Sequence, residues 1–304
     1  MRDGPGAGRL EGEMYKLLAL GAAGFLVLAG QANAQPLVAS GDIAVSGQFT
    51  SWTGDGYYTP ESGVGVDAYG RFMVPFGSGF SVQFDAAFET TPTISTLGQS
   101  VLVGGHLSWR DPTRFMVGLI GGAGIGTVDP DSPVTDYEDY QSFLLGVEGQ
   151  IYMGDTTFFK QAGVAWAYEG DPDEEPLDLV FVRGGVRHFT PSGWVLDGEG
   201  GFAWGTFDGG ASGLTDVSVL NWGFGVEKAL QTQLPISIFA RYEGALYTLD
   251  YCDASMTEHR IMGGFRIALG GLDAKSQDRL GANSDLPRFP AFSALDGLEY
   301  CDIN

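Results

Sequence analysis

Two cysteines and three histidines in 304 residues leave little material for a thiolate or imidazole metal centre, or for a fold framed by disulfides. His106, His188 and His259 have no second histidine or cysteine at ligand spacing, so no metal site and no cofactor is read from the sequence. Basic residues are also scarce. Sixteen Lys and Arg stand against 38 Asp and Glu, a formal charge of −22, which argues against a nucleic-acid partner and against docking on anionic lipid through basic residues. After the first 30 or so residues no apolar run is long enough for a membrane helix, which needs about 20. What the chain has in excess is glycine, 48 residues, together with 12% aromatics and a mean hydropathy of +0.02. That is the composition of something folded, not of a solvated acidic tail.

The one early apolar stretch, LLALGAAGFLVLAG at 17–30, follows Lys16 and precedes QANA at 31–34. This is the basic, apolar and small-residue pattern of a secretory signal cleaved after Ala34. Residues 1–13 are polar and glycine-rich, so Met14 is a candidate true start. Residues 1–34 carry three basic and three acidic residues, so their removal leaves the charge at −22. A short N-terminal segment, 35–41, follows.

From residue 42 to residue 269 the apolar period is two, the period of strands. In FSVQFDAAFE, Phe80, Val82, Phe84, Ala86 and Phe88 share one face, and Ser81, Gln83, Asp85, Ala87 and Glu89 the other. Twelve strands are predicted, at about 42–52, 63–74, 80–89, 100–110, 115–125, 141–152, 157–168, 178–189, 194–206, 217–228, 236–248 and 258–269. Their connections alternate between tight turns (PFGSG, DPTR, MGDT, TPSG, ALQTQLP) and longer polar loops. Short turns at one end and long loops at the other are the arrangement of a transmembrane antiparallel up-and-down β-barrel. One face carries residues such as Val64, Val66, Phe72, Val103, Leu107, Leu145, Ile151 and Ile238. The other carries Asp67, Arg71, Asp85, His106, Arg110, Glu148, Arg183, Arg187, Asp197, Glu199, Glu227, Arg241, Glu243, Arg260 and Arg266. An Arg or Lys facing hydrocarbon near the midplane costs about 2–4 kcal/mol, so the charged face is the lumen. Trp109, Trp166, Trp194, Trp204 and Trp222 fall on the apolar face, as interfacial girdles require, and Trp52 fits only with a bulge or an early end to the first strand. A secreted β-sandwich or periplasmic solute-binding barrel would instead bury the apolar face, and girdled tryptophans argue against it.

On these features the chain resembles the Gram-negative outer-membrane β-barrel proteins, porin-like in the broad sense. The resemblance implies a setting in outer-membrane lipid and lipopolysaccharide and assembly by the barrel-assembly machinery, which reads a terminal strand. Here HRIMGGFRIAL matches in Gly264, Ile267 and Leu269, has Met262 where a polar residue is usual, and is followed by 35 further residues, 270–304.

Chemistry is sparse. His106 and Ser108 share a face, but no orienting carboxylate follows in sequence, and a lumen histidine of structural use is the expected reading. Asp197 and Glu199 lie about 7 Å apart on one strand face, and seven inward arginines make ion pairing their expected role. GLIGGAGIG at 118–126 lacks the helix and lysine of a phosphate loop and reads as a strand whose neighbours need space. The loops GTVDPDSPVTDYEDY and EGDPDEEPLD hold five and six acids with no base. They are solvated faces or places where divalent cations collect at a pore mouth. Cys252 sits in the last long loop and Cys301 near the end of the tail, a candidate disulfide if the tail threads the lumen as a plug; the alternative is a periplasmic tail with free or intermolecular thiols. The function expected is a narrow passive channel for small ions or polar solutes. A nonconducting structural or surface-interaction barrel is the alternative, and a lipid-modifying enzyme, lacking a catalytic constellation, the least expected.

Overall fold

The structure, a computed structural model, describes residues 37–55, 62–92, 97–127, 139–169, 177–208, 214–230, 232, 234–250, 254–283 and 285–287. The export segment 1–34, the candidate start Met14, the most acidic stretches of the long loops, and Cys252 and Cys301 lie outside them. Twelve strands form: β1 (Ser40–Asp55), β2 (Ser62–Phe76), β3 (Phe80–Pro92), β4 (Leu97–Asp111), β5 (Phe115–Thr127), β6 (Asp139–Met153), β7 (Thr156–Glu169), β8 (Leu177–Phe189), β9 (Trp194–Asp208), β10 (Leu214–Ala229), β11 (Ile236–Leu249) and β12 (Ala254–Leu269). A short helix, α1 (Ala274–Leu280), follows the last strand. Each strand pairs antiparallel with its neighbours in sequence, and β1 pairs with β12, so the barrel is closed. Every predicted strand is present, and most run a few residues further at the long-loop end.

The tight turns follow from their residues. Gly77, Gly79, Gly154 and Gly193 all have positive φ, a conformation that a side chain disfavours. In the β4–β5 turn the Asp111 carboxylate accepts from the Thr113 amide at 3.0 Å and its hydroxyl at 2.6 Å, which fixes the reversal.

The period of two separates outside from inside as predicted. Val64, Phe84, Phe224 and Phe265 are each at least 60% exposed, within a band of exposed apolar side chains that circles the barrel. So wide a band is far larger than the apolar patches that soluble monomers expose, and it fits a hydrocarbon surround. Trp194 and Trp204 stand in it, and Tyr242 stacks on His259 on the same outer face, their hydroxyl and ring nitrogen 2.8 Å apart. Two tryptophans differ from expectation. Trp109 has the outward parity but is buried, tucked beside Phe115 and the Gly79 turn. Trp52 needs no bulge: β1 runs in unbroken register against β12 and turns Trp52 inward, where it packs on Tyr247.

The register fixes an expected outcome. Val103→Arg places a guanidinium on the outer face halfway along β4 and should lower stability in lipid vesicles by about 2–4 kcal/mol, against about 0–1 kcal/mol for Leu269→Arg at the rim. Equilibrium denaturant unfolding of the two variants checks it.

Candidate functional site: a charged lumen and the segment within it

All fifteen charged residues predicted to face the lumen have inward parity. The structure joins most of them into ion pairs between strands. Arg71 on β2 contacts Asp42 on β1 at 2.8 Å. Arg266 on β12 reaches Glu227 on β10 at 2.6 Å and the hydroxyl of Tyr69. Asp197 and Glu199 do not act as an acid/base pair: Arg241 bridges both, and Glu199 also takes Arg183 at 2.7 Å. Arg241 additionally pairs with Glu243 two residues along its own strand. Nearer the long-loop end Arg260 joins Glu89 and Glu258. Asp67 is buried on the lumen face of β2.

His106 is not without carboxylates. Its Nδ1 lies 3.0 Å from Glu148 and its Nε2 3.0 Å from Asp85, both supplied by other strands, while Ser108 Oγ meets Ser81 Oγ. Both ring nitrogens are therefore engaged by acids, leaving neither to activate a hydroxyl. Among the described residues no group of three or more His, Cys, Asp or Glu is arranged to hold a metal ion.

Several residues of this network escaped the sequence reading. Asp42 and Glu258 share the inward parity of their strands and could have been found by that signal alone, as the inward face of Glu89 was. Asp278, Asn283 and Asp285 could not, because they follow the barrel and have no strand period.

These last residues lie inside. The chain leaves β12 through Gly270 and Gly271, both at positive φ, and turns back. Asp273 caps α1 by accepting from the Ser276 amide at 2.8 Å. Lys275 reaches Asp155 in the β6–β7 turn, and this hydrogen bond, with the lysine charge, holds the exposed carboxyl below its ordinary pKa. Leu280 accepts from the Val38 amide at 3.0 Å, tying the helix end to the chain just before β1. Asp278 takes Arg187 and, at 2.6 Å, the hydroxyl of Thr157.

Residues 281–283 and 285–286 then climb the lumen. Arg110 donates to the Gly281 carbonyl at 2.7 Å. Asn283 is almost fully buried: its amide N–H donates to Gln83 and its side chain to Gln150, and its carbonyl accepts from Arg71 and Arg187. Asp285 takes Arg71 at 2.6 Å and accepts at its carbonyl from Gln161. Leu286 ends the climb over Gly104 and Gly122, partners across β4 and β5. A Cβ at Gly104 would come within 2.6 Å of Leu286 Cδ1, so this stretch of glycines is the hole that the leucine fills.

Beside the segment a cavity of about 720 Å³ remains, walled by β1, β2 and β7–β12 and by tail residues from Leu272 to Asp278 and at Ala282, Asn283, Asp285 and Leu286. It is lined by eleven acidic and seven basic residues. Polar atoms on β1 lack hydrogen-bond partners there and further along the strand: Asp42 Oδ1, which has only Arg266 at 4.0 Å, Ser46 Oγ, Gln48 Oε1 and Thr50 Oγ1. Outward along β5–β11 the lumen face becomes apolar, with Ile120, Leu144, Leu179, Phe181, Val219 and Tyr247 all buried.

Arg71 is the joint between barrel and segment. Arg71→Met leaves Asp42 and Asp285 without their shared cation. It should weaken docking of the segment by about 3 kcal/mol, the low end for breaking a buried pair because Asp285 is partly exposed. Limited proteolysis of the folded barrel should then cut beyond Gly271 markedly faster than in the unsubstituted protein.

No protein-family model matches the sequence, and no curated protein matches it. Solved structures do match in shape. An outer membrane channel from Pseudomonas putida F1 superposes with a TM-score of 0.50 at 12% identity, over 79% of this chain and 98% of that one. The translocator domain of the autotransporter NalP from Neisseria meningitidis gives 0.49 at 10% identity, over 86% and 96%. With the closed twelve-stranded topology and the apolar exterior, the first of these likenesses shows that this chain has the fold of the bacterial outer-membrane β-barrels.

Proposed function

We propose that the protein is a narrow passive channel of the bacterial outer membrane, set in outer-membrane lipid and lipopolysaccharide and delivered there by export and the barrel-assembly machinery. Small ions and small polar solutes pass along the cavity beside the C-terminal segment. The observation that carries this is the length of the cavity. Along β12 its lining runs from Ala268 to Glu258, ten positions, or about 33 Å at ~3.3 Å per residue. At a strand tilt of ~40° that is about 25 Å across the membrane, the height of the apolar band itself. The unpartnered polar atoms of β1 follow a similar course, and buried polar atoms of this kind are the ones water serves. Spread over that length, 720 Å³ leaves a narrow bore, which limits the solutes to small ones.

The acidic loops of the sequence reading are not the only source of a field. The cavity wall carries an excess of acids over bases, and a low-dielectric wall focuses that field on the path. The solutes favoured are therefore cations, divalent cations included.

A second reading, a nonconducting structural barrel, is favoured by the segment pinned within the lumen, and one experiment separates the two. Purified protein in planar bilayers should give single-channel steps, which Ser46→Trp, adding bulk to the cavity wall, should reduce while leaving heat-modifiable gel migration intact. Absence of steps from protein that still migrates as a folded barrel would establish the nonconducting reading. Given conduction, the reversal potential in a salt gradient should show cation preference, weakening as the screening length shrinks from ~10 Å at 0.1 M to ~3 Å at 1 M. Anion preference at low salt would refute the role given to the wall.

A further inference from the structure

The apolar outer part of the lumen wall is buried, and the C-terminal segment reaches it at Leu286. Leu179, Phe181, Val219 and Tyr247 are each at most 6% exposed, although they face the inside of a twelve-stranded barrel. Barrels of eight strands are the size that wall side chains fill unaided; twelve enclose more. Leu286 joins this apolar cluster, and Pro287 behind it is buried too.

The course of the segment says what comes next. At Gly281 it meets the guanidinium of Arg110 on β4, and at Leu286 its side chain lies over Gly104 on the same strand. Between Gly281 and Leu286 the contacts of the tail thus move six residues along β4, away from the turn end. From Gly104 the described strand has seven residues left to Leu97. The tail has seventeen more, RFPAFSALDGLEYCDIN, and Phe289, Phe292, Leu295, Leu298 and Tyr300 among them are of the chemistry the wall requires.

We propose that residues 288–300 seat on this apolar wall, so that the C-terminal segment traverses the barrel from the turn end to the long-loop end. The lumen is then divided lengthwise. The tail covers the apolar side along β5–β11, and the polar side along β12, β1 and β2 is left open. The seating stands independently of whether the barrel conducts. It also brings Cys301 to the end of the barrel at which the β11–β12 connection holds Cys252.

Two measurements on the full-length chain, neither read by conductance, test the seating. In a Cys252→Ser, Cys301→Ser background, Phe292→Cys should react with a membrane-impermeant maleimide at least ~10-fold more slowly in the folded barrel than in urea, as a segment held shut by packing does. Fast labelling of the folded barrel, from either side of the membrane, would overturn the proposal, since it would place residue 292 in solvent. Should that variant fail to fold, the unsubstituted protein decides. After reduction, a short bismaleimide should link Cys252 to Cys301 within one chain, as peptide mapping would reveal. Recovery of both cysteines singly modified, with no intrachain link, would place the tail elsewhere.

Discussion

Lipid offers a peptide group no hydrogen bond, and the rest of this structure follows from that constraint. A strand at an open edge would carry unsatisfied amides and carbonyls into hydrocarbon at several kcal/mol apiece. The pairing of β1 with β12 over fifteen residues removes the edge. Once closed, every strand has one face in lipid and one in the lumen, and the two-residue period of the sequence becomes a division between two solvents.

The lumen must then settle a concentration of charge in a confined space. It does so by neighbour pairing across the sheet. Arg241 ties three acids together, and Arg71 serves one acid of the wall and one of the tail. An arginine is suited to this because its planar fork can meet two carboxylates at once. Such pairs are expensive to desolvate, and their value lies in fixing which strand faces which and where the tail sits. The cavity along β7–β12, β1 and β2 is what remains beside the docked tail, so one network of charges both seats the tail and lines the cavity.

The tail itself is a case of local signals serving a distant fit. Gly270 and Gly271 allow the reversal at the end of β12, Asp273 starts the helix, and Gly104 and Gly122 leave room for a leucine that follows them by more than 160 positions. No one of these residues has a use on its own. Together they turn a chain that has finished its barrel back into it.

How much of this was legible beforehand divides along a physical line. Strand number, turn and loop alternation, the lipid face and the inward arginines are properties of single strands, repeated every second residue, and the sequence by itself determined them. Asp42 and Glu258 carried the same signal, and parity alone would have found them. Which acid meets which arginine depends on register between strands, so the two carboxylates that hold His106 come from β3 and β6 and were invisible from β4. The inward turn of Trp52 was decided by unbroken pairing with β12. The place of Asp278, Asn283 and Asp285 was decided only in three dimensions, because a segment without regular period is positioned by the surface it meets, and that surface exists only once the barrel has closed.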